Sequence, residues 1–148
     1  ELTWGTRVEA FTAYLEENRD QIEALTTSAA STFAAQQDGA PERLADKVAV
    51  VLEAADVDPE RLAQELALLA VKADVTEELD RLRTHIAGAR DLLDAKGPVG
   101  RKFDFLTQEF NREVNTLCSK AGSADLTQIG LDLKVVVDQM REQAANVE

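Results

Sequence analysis

The chain has 148 residues, 45% hydrophobic, 5% aromatic and 30% charged, with a formal net charge of −12. That length supports one domain with a real core, and no run approaches the roughly 18 apolar residues of a membrane span or follows a signal-peptide pattern. An acidic chain is a poor generic binder of nucleic acid, which is held through phosphate neutralisation by Lys and Arg; the single cysteine, Cys118, excludes an internal disulfide and suits a reducing compartment.

Abundant Ala and Leu, few aromatics, 3 Pro and 7 Gly favour helices over sheets. The expectation is an all-α bundle of long helical hairpins, about five helices, forming one domain over 1–148. Val8, Phe11, Leu15, Ile22 and Leu25 recur at near-helical spacing, with Glu16, Glu17, Arg19 and Asp20 opposite. They predict a helix over about 6–36, less firmly helical past Thr26-Thr27-Ser28. Asp38-Gly39-Ala40-Pro41 is a break. A second helix, about 41–55, turns Leu44, Val48, Val51 and Leu52 inward. Asp58 is a cap and Pro59 a first-turn residue for a third helix to about Val71. Residues 62–70 are apolar nearly all round, so this helix is expected to be well buried and Glu65 within it to need a partner.

The chain then kinks near Ala73 or runs on into a helix from Asp74 to Lys96, with Val75, Leu79, Leu82, Ile86, Ala89 and Leu93 on one stripe. Asp74, Glu78, Arg81 and His85 share its flank. Imidazole titrates near neutrality and suits proton transfer, which makes His85, the sole histidine, an acid/base candidate; a hydrogen-bonded structural role is the alternative. Asp74, Glu77 and Glu78 offer hard oxygen ligands for Mg²⁺ or Mn²⁺, although acidic clusters on helices are usually just solvated.

Gly97-Pro98 ends that helix, and Pro98 suits the first position of the next. This helix reads to about Lys120, with Val99, Phe103, Leu106, Phe110, Val114 and Leu117 on its apolar side. Asp104, Gln108, Asn111, Asn115 and Ser119 make a second stripe, rich in residues weaker than Ala as helix formers by up to about 0.7 kcal/mol each. Amides carry paired donors and acceptors suited to a polar partner; a polar interface between helices accounts for the same stripe. Lys102, Glu109, Glu113 and Lys120 make a third. Glu109 and Glu113 are i, i+4 neighbours, and like charges that close repel unless a cation or base lies between them. Phe103, Phe105 and Phe110 are expected to be mostly packed, which disfavours aromatic stacking with bases.

Charge is uneven along the chain. Residues 1–95 hold 9 basic and 20 acidic residues, 121–148 hold 2 and 5, and 96–120 hold 5 and 3, making this last block the net-basic one. Gly122-Ser123-Ala124-Asp125 is a turn with Ser123 as cap. The final helix, about 124–146, carries a seam of Leu126, Ile129, Leu133, Val136, Val137, Met140, Ala144 and Val147. The short connection makes it antiparallel to the preceding helix, so that 98–148 is a helical hairpin.

Three blocks carry a family resemblance. Residues 100–120, Gly-Arg-Lys-Phe-Asp-Phe-Leu-x-Gln-Glu-Phe-Asn-Arg-Glu-x-Asn-Thr-Leu-x-Ser-Lys, resemble the C-terminal signature of the YicC/YloC family. Leu62-Ala63-Gln64-Glu65-Leu66-Ala67-Leu68-Leu69-Ala70 followed by Asp74 to Ile86 agrees, as does the ending Leu133-Lys134 with Met140 to Glu148. The likeness covers about 60–148 well and 8–59 loosely. It implies a bacterial cytoplasmic protein similar to metal-dependent endoribonucleases that act on RNA and form ring-like homo-oligomers. It also implies an additional N-terminal domain, whose motifs do not occur here; the chain, which lacks an initiator Met, reads as part of a longer protein.

With that implication, the divalent metal (Mn or Mg) has Glu78, Asp104, Glu109 and Glu113 as candidate ligands. His85, Glu109 and Glu113 are the catalytic candidates. Arg101, Lys102, Arg112 and Lys120 are positioned to hold phosphates, and Gln108, Asn111 and Asn115 to contact base edges or sugars. The resemblance marks these as motif positions, while their roles come from side-chain chemistry. Two other readings fit the same residues: a helical oligomerisation module with catalysis elsewhere, and an RNA-binding module without cleavage. No P-loop, GxSxG, zinc-ligand spacing or internal repeat is present.

Overall fold

The computed structural model describes residues 4–94 and 100–145, with side chains described over 9–94 and 101–145. The described residues form six α-helices and no strand: α1 (Trp4–Gln37), α2 (Ala40–Ala54), α3 (Pro59–Ala73), α4 (Thr76–Asp94), α5 (Gly100–Lys120) and α6 (Ala124–Ala145). The all-α expectation is met. The readings for the packing of Val8, for Pro98 and Val99, and for Val147 lie outside the described residues.

Local chemistry sets the breaks. Gly39 turns the chain between α1 and α2 at φ 70, a left-handed conformation that glycine enters without steric cost. Arg43 reaches back across the turn, donating to the carbonyls of Asp38 (2.9 Å) and Gln36 (2.8 Å). Asp58 accepts from the Glu60 N–H at 3.1 Å, with Pro59 opening α3. The helix does not run on past Ala73. Asp74 is extended, and its carboxylate accepts from both the N–H (2.9 Å) and the hydroxyl (2.6 Å) of Thr76. This cap separates α3 from α4 and yields six helices where about five were expected. Ser123 accepts from the Leu126 N–H at 3.1 Å and opens α6.

Four of the helices make the core. α4 packs on α5, α5 on α6, α6 on α1, and α1 back on α4. Leu15, Ile22 and Ala29 from α1 meet Leu79, Leu82, Ile86 and Ala89 from α4, Phe103, Leu106, Phe110, Val114 and Leu117 from α5, and Leu126, Leu133, Val137, Met140 and Ala144 from α6. These are the stripes expected from helical periodicity, with Val136 and Ile129 packed at the margin. The ion pairs and contacts between α4 and α5 descend one chain as they climb the other: 78 with 120, 81 with 113, 85 with 110. These two helices are therefore antiparallel. Gly130 of α6 lies so close to α5 that a Cβ there would fall 2.6 Å from Cys118 Sγ.

Helices α2 and α3 depart from expectation. Neither helix has a buried residue, and α2 makes only a slight contact with α1. Leu44, Val51 and Leu52, expected inward, are exposed, as are Val50, Leu68, Leu69 and Val71. Glu65 is exposed and needs no buried partner. The apolar stripes of α1, α4, α5 and α6 close on one another, which leaves no open core face among the described residues for α2 and α3 to cover. No helix among the described residues is long and apolar enough to cross a membrane.

Candidate functional site

The groove between α4 and α5 brings together Glu78, His85, Glu109, Glu113 and Lys120 of the residues singled out from sequence. The antiparallel packing sets the α4 flank Glu78, Arg81, His85 against the α5 flank Lys120, Glu113, Glu109. At the end where α4 begins and α5 finishes, Lys120 Nζ donates to Glu78 Oε1 at 2.8 Å and to the Asp74 carbonyl at 3.3 Å. Glu78 is 2% exposed, and its other oxygen has no hydrogen-bond partner among the described residues. The hydrogen bond from Lys120 to Glu78 raises the ammonium above its usual range.

One turn further along, Arg81 lies 3.5 Å from Glu113 and 3.1 Å from Glu77. Glu113 is 4% exposed. Next, His85 sets its ring edge-on to Phe110, with centroids 5.7 Å apart. A ring nitrogen of His85, a carboxylate oxygen of Glu109 and one of Glu113 all lie within 4.8 Å of one another. His85 Nε2 is buried without a hydrogen-bond partner among the described residues. Two carboxylates and an imidazole this close, partly withdrawn from water, are an arrangement that a cation stabilises. Two ligands on one ion with bonds of about 2.0–2.2 Å are at most about 4.4 Å apart, so small rotamer changes bring the set into coordination range.

The other expected residues are placed less centrally. Asp104 is exposed and accepts from Gln108 Nε2 at 3.1 Å, away from the cluster. Glu78 belongs to the Lys120 pair and stands outside the three-residue group. Arg101, Lys102, Arg112 and Asn115 are exposed on α5, with Arg112 at a loose 3.9 Å from Glu109. Asn111 is half-buried, and its Oδ1 lacks a partner among the described residues. Lys120 is engaged by Glu78. Arg81 is the residue that the sequence reading gave no role; the signal was its place one turn from His85 on the flank facing Glu113. Burial pushes the Cys118 thiol above its usual range, which makes it a poor nucleophile. On the opposite flank of α4, Arg90 pairs with Glu23 of α1 at 2.8 Å beside a cleft of about 200 Å³.

The family model "Endoribonuclease YicC-like, C-terminal" matches residues 27–148. The chain belongs to that family. The matched span holds α2 to α6 and every residue of the α4–α5 groove. Among curated relatives, the chain is 53% identical over 72 residues to a protein of Haemophilus influenzae named probable endoribonuclease YicC, and 38% identical over 73 residues to one of the same name from Clostridioides difficile. Each match covers 49% of this chain and 25% of the relative. The chain thus corresponds to a part of these YicC proteins.

Proposed function

We propose that this chain is the helical C-terminal part of a divalent-metal-dependent endoribonuclease, and that His85, Glu109 and Glu113 hold the ion. The observation that carries the reading is the convergence of those three ligand atoms within 4.8 Å, with Glu113 buried. An imidazole in the set favours Mn²⁺ over Mg²⁺, which takes oxygen ligands almost alone. A divalent ion there supplies positive charge to a phosphoryl oxygen of RNA. Arg81 balances Glu113 and orients it. Arg101, Lys102 and Arg112, the last only loosely paired with Glu109, are exposed to meet phosphates, and Gln108, Asn111 and Asn115 offer amides to sugars or bases. His85 moves from the proton-transfer role suggested by its chemistry to a ligand role.

The test is RNA cleavage by the full-length protein that contains this chain. Glu109→Gln and Glu113→Gln remove charge at almost constant shape, and each is expected to lower cleavage by well over about tenfold while the fold persists. Fully active, folded variants would remove both carboxylates from the mechanism.

A second reading, a helical oligomerisation module, is favoured by the apolar residues that α2 and α3 leave in water. It is compatible with the first, and we propose that the protein is a homo-oligomer held in part by these two helices. We also propose a cytoplasmic location, where RNA substrates and a reducing medium suited to the free Cys118 coincide.

A further inference from the structure

Phe105 is 64% exposed, whereas Phe103 and Phe110 of the same helix are 1% and 0% exposed. Packing explains those two and leaves Phe105 without a role. At 100° per residue, Phe105 lies about 40° around the helix from both Arg101 and Glu109, and about 20° from Arg112. It is one turn, about 6 Å, along the axis from Glu109. The ring therefore stands in water between two exposed guanidinium groups, one turn from a carboxylate of the cluster.

The surroundings separate this ring from the other exposed apolar groups. Those on α2, α3 and α6 are aliphatic, and the other exposed aromatic among the described residues, Tyr14, is only 37% exposed. Phe105 is single, flanked by Arg101, Lys102, Asp104 and Gln108, all exposed. Lys and Asp, both beside this ring, are depleted at the core of a protein–protein interface, although Arg is enriched there. A lone aromatic among cations is instead the composition of a single-strand nucleic-acid groove, where the ring takes a base and the cations take the backbone.

We propose that Phe105 is a base-stacking platform. An unpaired nucleobase adjoining the phosphate at His85, Glu109 and Glu113 stacks on its ring, and Arg101 and Arg112 hold the flanking phosphates. The platform rests on the reading of the cluster as an RNA-cleaving centre. It binds without strong base preference, since every base has a π-face, and it requires the base to be unpaired.

The experiment measures steady-state cleavage of a short single-stranded RNA by the full-length protein, comparing wild type with Phe105→Ala, Phe105→Leu and Phe105→Trp. Light scattering and melting are followed on each variant, and affinity for the same oligonucleotide is measured in EDTA. Loss of stacking is expected to raise KM by about five- to hundredfold in the Ala and Leu variants, with kcat nearly unchanged. The Trp variant restores KM, and melting and mass stay as in wild type. Wild-type KM in Phe105→Ala overturns the platform. So does Phe105→Leu performing as well as Phe105→Trp, which indicates simple apolar contact, and so does a KM loss accompanied by a fall in oligomer mass, which indicates a subunit contact. Active wild type with an indifferent Phe105→Ala leaves the cluster reading standing. Oligonucleotide binding that depends on an aromatic residue at 105, without cleavage by wild type in Mn²⁺ or Mg²⁺, does the reverse.

Discussion

Lys120 Nζ lies 2.8 Å from Glu78 Oε1, and it is the one ion-pair partner of a carboxylate that is only 2% exposed, among the described residues. Removing the cation strands a buried charge, while removing both charges does not. Lys120→Met is therefore expected to destabilise the chain, and adding Glu78→Gln to recover much of the loss. Chemical denaturation of the two single variants and the double variant measures the coupling. Equal, additive losses would show that the pair is solvated.

The same end of the bundle gives the pH response its sign. Thr76 hydrogen bonds, from the side chain above all, hold the Asp74 carboxyl below its ordinary value of 3.8. A folded-state pKa below the unfolded one contributes stability that is present above about pH 4 and lost as pH falls through the folded value. Lys120 is shifted up from 10.5; its contribution is complete below that pH and lost as pH rises through the folded value. Asp74→Asn keeps a good cap, so it is expected to change melting little at neutral pH and to flatten the acid limb. Asp74→Ala loses the cap and costs about 0.5–2 kcal/mol at neutral pH. Melting curves from pH 2 to 7 distinguish them.

The α5–α6 contact is tight enough to test by adding one methyl group. A Cβ at Gly130 falls 2.6 Å from Cys118 Sγ, so Gly130→Ala forces the helices apart or the thiol aside. Overpacking of this kind costs about 1–3 kcal/mol. Adding Cys118→Ala vacates the space and is expected to return most of that. Denaturation midpoints of the single and double variants give the answer.

Leu69 and Val71 on α3 are 59% and 72% exposed. If α3 is part of an assembly surface, Leu69→Glu with Val71→Glu is expected to lower the solution mass and leave the bundle core melting as before. Light scattering across dilution reads this directly. A mass of 16.2 kDa for the unmodified chain at every concentration would contradict the assembly proposal.

The four-helix core was legible because helical periodicity needs no knowledge of partners: Phe103, Phe110 and Leu117 fall on one side of α5 whatever packs there. The position of α2 and α3 was not legible. Their apolar residues, such as Leu68 and Leu69, record that something is to be covered, and composition does not say whether the cover is the same chain. Phe105 was misjudged by weighing hydrophobicity above angle: it lies about 200° from Phe103 around the helix, opposite the core stripe. Glu113 was read as lying off the seam, yet it is about 20° from Leu106 around the helix, and the α4 flank covers it. His85 and Glu109 sit on different helices, so their meeting depends on the antiparallel register of α4 and α5, which sequence spacing alone does not supply.

The central claim is that His85, Glu109 and Glu113 are one divalent-metal site, and Mn²⁺ titration of the chain and its Glu113→Gln variant tests it most directly, followed by calorimetry and by thermal unfolding. At Mn²⁺ about a hundredfold above Kd, the site contributes about 2.7 kcal/mol, a rise of roughly 5–10 °C in Tm for a chain of this size. The account predicts one Mn²⁺ per chain with that rise in the wild type. In Glu113→Gln it predicts no binding and no rise. Equal Mn²⁺ binding by the two proteins, or none by either, would contradict it.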